Sequence, residues 1–166
     1  MTSHSKSINV QSPFGVFLLY SNSRAITRIL LPTEVTDDSS DENEMDGILS
    51  DARDEFDAYF SGQLNEFQVP YEPEFGTKFQ REVWQELRRI PIGTTISYSE
   101  LAVRVGRPAA VRAVGTANGR NPLPIIVPCH RVIGANGTLT GYAGGLKLKQ
   151  QLLEHEGALE GMLESV

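Results

Sequence analysis

SYSELAVRVGRPAAVRAVGTAN, residues 97–118, decides the architecture of the second half of this chain. Ser97-Tyr98-Ser99-Glu100 has the form of a capping box, in which a Ser hydroxyl and a Glu three places on satisfy free backbone N–H groups at a helix start. Leu101, Ala102 and Val105 then share an inward face, and Gly106 ends the turn. Pro108 suits the first turn of a second helix, expected over 108–118. Helix, tight glycine turn, helix is the helix-turn-helix pattern.

The second helix of the pair presents small residues, with Ala110, Ala113 and Ala117 expected outward. Helices that read base edges carry long polar side chains into the major groove. A bare helix approaches a narrow groove floor instead, and its single long side chain, Arg112, has the reach to wedge into a base stack. The competing reading is a tightly packed core helix with a solvated Arg.

Working outward, Thr77-Lys78-Phe79-Gln80 is a further capping box. Phe79, Val83, Trp84, Leu87 and Ile90 give its helix an apolar face, and Pro91 stops it. A closing helix is expected over 146–155, with Gly157 past its end. The first half differs. Ile8–Val10, Gly15–Tyr20 and Ile26–Leu31 read as a small antiparallel sheet. Ile48, Leu49, Ala52, Phe56, Tyr59 and Phe60 recur at helical spacing before Ser61-Gly62. Residues 33–46 are acidic, Ser-rich and nearly free of apolar side chains, hence a solvated loop, and 68–75, with Pro70 and Pro73, reads as a linker. The expected architecture is α+β: a small sheet-and-helix N-terminal domain over 1–75 and a mainly helical domain with the helix-turn-helix over 76–166.

The only cysteine lies in Ile125-Ile126-Val127-Pro128-Cys129-His130-Arg131-Val132. Ile125–Val127 reads as a short buried strand, and a lone buried thiol is more often inert than reactive. A base and a cation beside it, His130 and Arg131, are what lower a thiol's pKa and make it a nucleophile. Neighbours in a strand point to opposite faces, so His130 serves Cys129 only through a bend after Pro128 or a bridging water. The His then needs an orienting carboxylate, for which Glu154 and Glu156 are the candidates. Asn121 before Pro122 is either an ordinary Asx turn or a tether from the helix to the cysteine segment. Gly141-Tyr142-Ala143-Gly144-Gly145 is a flexible loop with one aromatic, usable as a wall for a flat base.

Charge separates the halves. Residues 1–75 hold four Lys or Arg against fourteen Asp or Glu, a net of −10. Residues 76–150 hold eleven against three, a net of +8, so only this part is suited to a polyanion. One Cys and the widely spaced His4, His130 and His155 match no zinc-ligand spacing, and no metal or cofactor is expected. A single cysteine forms no internal disulfide, which points to a reducing, intracellular setting, cytoplasm or nucleus. No apolar run approaches the ~20 residues of a membrane helix.

Pro128-Cys129-His130-Arg131-Val132, the Arg112 helix, Asn121-Pro122 and Tyr142-x-Gly144-Gly145 together resemble the O6-alkylguanine-DNA alkyltransferases, from about Gly76 to Gly157. The N-terminal half then corresponds to the family's variable, ribonuclease-H-like domain. The resemblance implies a suicide repair protein. It would bind duplex DNA in the minor groove as a monomer, flip out an O6-alkylguanine (O4-alkylthymine as a second lesion) and move the alkyl group onto itself. Carried over residue by residue, Cys129 is the acceptor, His130 its water-mediated base, Glu156 the His partner and Tyr98 the acid for guanine N3. Arg112 is the intercalating finger, Asn121 the hinge, and Tyr142 the stacking wall. Val132, Ala143 and Gly144 line the substrate pocket. Ala110, Ala113, Arg107 and Arg120 face DNA, with Arg104 a further phosphate candidate. Ala143 departs from the Ser of many members, which removes one side-chain hydrogen bond to O6. Three other readings compete: a lesion-binding relative without transfer, in which the Cys is replaced; a cysteine hydrolase, for which no oxyanion motif is visible; and a sequence-specific regulator.

Overall fold

Three strands pair in simple succession at the N-terminal end: β1 (Lys6–Ser12), β2 (Gly15–Ser21) and β3 (Ile26–Leu30), antiparallel in the order β1-β2-β3. The computed structural model describes residues 6–36 and 45–158, and the chain divides into two units, Met1–Phe75 and Gly76–Val166.

In the first unit the register sets Ile8 opposite Leu19 and Val10 opposite Phe17, all buried. Helix α1 (Gly47–Phe60) lays Leu49, Ala52, Phe56 and Tyr59 inward, and Phe56 and Phe60 both meet the Phe17 ring. Two expectations are corrected here. Asp46 does not belong to the acidic loop: its carboxylate caps α1, accepting from Leu49 N at 2.7 Å. Residues 37–44 of that loop lie outside the described residues. Residues 68–75 are no loose linker. Ile26 N–H donates to Pro70 O, Glu72 N–H to Ile26 O and Glu74 N–H to Thr27 O, so the segment runs along β3. Glu55 accepts from the N–H groups of Gln68 and Val69, and Phe67 and Val69 are buried. The two prolines suit such an edge position, where a missing N–H costs no ladder bond.

In the second unit α2 (Lys78–Leu87) opens on the complete Thr77–Gln80 capping box, with both reciprocal bonds made. It ends at Leu87, ahead of Pro91, through a turn in which Ile90 N–H donates to Leu87 O. Strand β4 (Ile96–Ser97) leads directly into α3 (Tyr98–Arg104). Ser97 caps α3 by accepting from Glu100 N, but the box is only half made: Glu100 accepts from Arg104 at 3.0 Å instead of reaching back. Helix α4 (Val111–Gly119) starts three residues later than Pro108 suggested, because Ala110 N–H closes a separate turn onto Arg107 O.

The inward face of α4 is also corrected. Ala117 is buried beside Val114, and its carbonyl accepts from Trp84 Nε1 at 2.8 Å, which joins α2 to α4. Ala113 is exposed, with Arg112 and Thr116. The expected strand at 125–127 is a turn. Val127 N–H donates to Leu123 O, Ile125 has φ +75°, and Arg88 donates to Ile126 O at 2.8 Å. A short 3-10 turn, Cys129–Arg131, follows, then β5 (Val132–Ile133), which pairs in parallel with β4. Helix α5 (Leu146–His155) closes the unit. The architecture is α+β, a small sheet domain and a mainly helical domain with a helix-turn-helix. Among the described residues no helix is long and apolar enough to cross a membrane.

Candidate active site

The turn after Pro128 solves the geometric problem posed by adjacent Cys and His residues. In a 3-10 turn successive side chains are about 120° apart, not on opposite faces. Cys129 is 6% exposed and His130 fully buried. His130 Nε2 lies 2.7 Å from Glu156 Oε2. Glu156 also accepts from Arg131 Nε at 2.8 Å and Nη2 at 3.1 Å. Burial alone would raise the Glu156 pKa, but the His130 and Arg131 contacts outweigh it and hold the carboxyl far below the usual range. An ionised carboxylate only accepts, so Nε2 carries the imidazole proton. Nδ1 is thereby the basic nitrogen, and it is buried without a hydrogen-bond partner among the described residues. Burial lowers the His130 pKa despite Glu156, which disfavours the charged imidazolium. Glu154, the other candidate partner, is exposed and accepts from Gln150.

Arg131 is not the cation for the thiol. Its remaining bond, Nη1 to Ile90 O at 2.6 Å, completes its engagement away from the sulfur. Burial pushes the Cys129 thiol up, opposed by a hydrogen bond with Asn121 and by the charge of Lys149. The sequence reading passed over Lys149. It is fully buried, donates to Thr140 O at 2.8 Å, and its pKa is brought down to about 8 by burial, partly offset by Cys129. Its signal was present: Lys149, Leu152, Leu153 and Glu156 lie at i, i+3, i+4 and i+7, one face of a helix. Asn118, likewise passed over, is buried on α4 and donates to Cys129 O at 3.4 Å.

Asn121 fits both readings of its segment. Its Oδ1 accepts from Leu123 N at 2.9 Å, an Asx turn, while Nδ2 donates to Val127 O at 2.8 Å, two residues before the cysteine. Tyr98 heads α3, and its hydroxyl donates to Thr140 O at 3.3 Å. Partial burial raises the Tyr98 pKa, and nearby Cys129 adds to it.

A cavity of about 560 Å³ is walled by Tyr98, Arg112, Gly115, Thr116, Asn118, Thr140, Tyr142 and Ala143, among others. Tyr98, Tyr142, Ala143 and Arg112 are thus brought together. Val132 and Gly144 are not among its walls: both are buried, Val132 through pairing with Ile96. On the outer surface Arg112 and Arg120 are exposed, and Arg107 stacks over Phe79 at 5.3 Å. Arg104 is paired with Glu100, and Ala110 is a half-buried helix cap. Among the described residues no group of three His, Cys, Asp or Glu is placed to hold a metal ion.

The comparisons with known proteins converge. Residues 78–158 match the family described as 6-O-methylguanine DNA methyltransferase, DNA binding domain, and residues 8–73 match the ribonuclease-like domain of the same protein. A methylated-DNA–protein-cysteine methyltransferase of Mycobacterium tuberculosis is 47% identical over 148 residues, 89% of each chain. One of Methanosarcina acetivorans is 48% identical over 153 residues, 89% of this chain and 96% of its own. The crystal structure of the Mycobacterium tuberculosis OGT in complex with DNA superposes with a TM-score of 0.82 at 44% identity, covering 92% of both chains. With both domains matched in order and relatives of this identity over most of its length, the chain belongs to the 6-O-methylguanine-DNA methyltransferase family.

Proposed function

We infer that this chain repairs O6-alkylguanine in duplex DNA by direct reversal, taking the alkyl group onto Cys129 in a single turnover. The observation that supports this most is His130 itself, the residue after the chain's only cysteine, with Nε2 against Glu156 at 2.7 Å and Nδ1 buried with no hydrogen-bond partner among the described residues. His130 takes the thiol proton through a bridging water. The thiolate attacks the alkyl carbon, an S–C bond forms, and the C–O6 bond breaks with its electron pair passing into guanine. Tyr98 gives its proton to guanine N3, so a neutral base leaves. The His130 proton passes to solvent and the Tyr98 phenolate takes one up, so both side chains return to their starting forms. The thioether is stable and nothing in the site reopens it, so the protein is a reagent consumed once.

Tyr142 and Ala143 wall the flipped base, and Arg112 fills the stack it vacates. Ala113, Ala110, Arg107 and Arg120 meet the DNA backbone and groove. Asn121 holds α4 to the cysteine segment. O4-alkylthymine is a second substrate, the working unit is a monomer because one chain carries every reacting group, and the single thiol suits a reducing intracellular compartment. A lesion binder without transfer is not favoured, since Cys129 is in place.

Incubation with an O6-methylguanine duplex and intact mass measurement tests this. One methyl per molecule on Cys129, none on Cys129→Ser, and retained DNA binding by that variant are expected. Several transfers per molecule would overturn it.

A further inference from the structure

Lys149 is fully buried on α5, yet among the described residues it belongs to no ion pair. A buried ammonium is costly unless something uses it. Its Nζ donates to the Thr140 carbonyl at 2.8 Å, and the same carbonyl accepts from the Tyr98 hydroxyl at 3.3 Å. Nζ also stands 5.8 Å from the centre of the Tyr98 ring. Thr140 and Tyr98 are both walls of the cavity. The titratable groups that face Lys149 are Cys129 and His130 from the 3-10 turn and Tyr98 from α3. On its own helix, Lys147 and Glu154 are exposed.

We propose that Lys149 is a positioning residue for alkyl transfer, holding the Thr140 carbonyl in common with Tyr98 and bringing a buried amine to the Tyr98 side of the cavity. Two consequences follow from that placement. When Cys129 loses its proton, the new thiolate forms in an apolar setting where Arg131 is already committed to Glu156. Lys149 is then the cation that favours the charged form. When Tyr98 turns from Thr140 to a guanine nitrogen, the carbonyl keeps the Lys149 bond and is not left unpaired. The hydroxyl is thus released without the penalty of an orphaned acceptor.

This rests on Cys129 as the acceptor, and the test separates the two claims. Iodoacetamide labelling against pH reads Cys129 alone, because it is the only cysteine. It is compared for the full-length wild type, Lys149→Met, Lys149→Gln and Lys149→Arg, beside transfer from O6-benzylguanine. Met and Gln should move the thiol titration upward by about one unit or more, which corresponds to roughly tenfold slower transfer near neutral pH. Arg should restore part of both. Gln keeps a donor for Thr140 without the charge, so it carries the test if Met does not fold. Titration curves of Met and Gln that overlay the wild type would overturn the proposal, whatever happens to the rate. Benzyl transfer from O6-benzylguanine to Cys129→Ser would instead sink the acceptor assignment and leave the thiol titration of the wild type standing.

Discussion

Arg131 and Glu156 are joined by two hydrogen bonds, Nε to Oε1 at 2.8 Å and Nη2 to Oε2 at 3.1 Å, with side chains 8% and 0% exposed. The same carboxylate holds His130. One acidic group at the end of α5 therefore anchors both residues that follow Cys129, and its charge is structural.

Acid should loosen this fold early. Glu156 has a folded pKa well below its unfolded value, ~4.3 for a free carboxylate. Its contribution is present above that value and is lost as pH falls toward the folded one. His130 is depressed from ~6.5, so below that pH the unfolded chain takes up a proton first. In both windows the unfolded state binds more protons, so stability falls with pH. Melting temperature by circular dichroism should drop between pH 7 and 4. Glu156→Gln leaves Arg131 buried without its counter-charge and should cost about 3–5 kcal/mol at pH 7, with a flatter decline below pH ~5. A wild type indifferent to acid would contradict this.

Asn121→Ala removes the bonds to Val127 O and from Leu123 N together and should cost about 1–3 kcal/mol in denaturant unfolding. Asn121→Asp keeps the acceptor for Leu123 but brings a negative charge toward the thiol. It should therefore raise the Cys129 pKa beyond the Ala variant in the iodoacetamide titration. Equal titrations for the two would show that Asn121 acts on the backbone alone.

Arg112 and Cys129 should separate by substrate. Extruding a base costs a few kcal/mol of stacking and pairing, part of which an inserted side chain offsets. A free alkylguanine base needs no extrusion. Arg112→Ala should slow transfer from duplex roughly tenfold or more, each factor of ten being ~1.4 kcal/mol, and barely touch transfer from O6-benzylguanine. Equal slowing on both substrates would assign Arg112 to the pocket or the fold.

Salt should act through the second unit. DNA affinity should fall steeply from low to moderate salt, and Arg120→Gln should reduce the slope of log affinity against log salt by about one. Arg104→Gln should change it less, because Glu100 already neutralises Arg104. Affinity constant across the series would remove the electrostatic account.

Local rules were enough wherever one element satisfied its own needs. The Thr77 cap, the three-strand sheet and the apolar face of α2 are written in short windows of sequence and formed as such. The 125–127 run misled because its β-branched, apolar residues are buried by packing from all sides, not by a ladder. Ile125 even takes a positive φ, which a β-branched residue adopts only under tertiary constraint. Ala117 was placed outward because its partner, the Trp84 indole, lies thirty-three residues away. Lys149 was passed over for a related reason: its i, i+3, i+4, i+7 spacing marks a buried face of α5, but nothing within α5 announces Thr140 or Cys129 as neighbours. The chemistry-bearing motif could be read in order along the chain, while the residues that tune it could be read only once the chain had closed.

That closure has a small neck. β4 and β5 pair two residues each, Ile96 with Val132 and Ser97 with Ile133. Between them the chain makes one excursion that holds Tyr98, both helices of the DNA-binding pair, Asn121 and Cys129 to Arg131. The ends of this excursion are fixed and its inner side is tied to α2 through Trp84 and the cap residue Arg88, while the outer faces of its helices are exposed. It has the form of a cartridge: the exposed faces of α3 and α4 could be resurfaced without altering the spacing of Tyr98 and Cys129 at the neck. A one-residue slip at the neck, by contrast, would displace Cys129 against Tyr98 by about 3.3 Å and turn Val132 to the opposite face. Redesign of lesion recognition has room on the helices and almost none at these four residues.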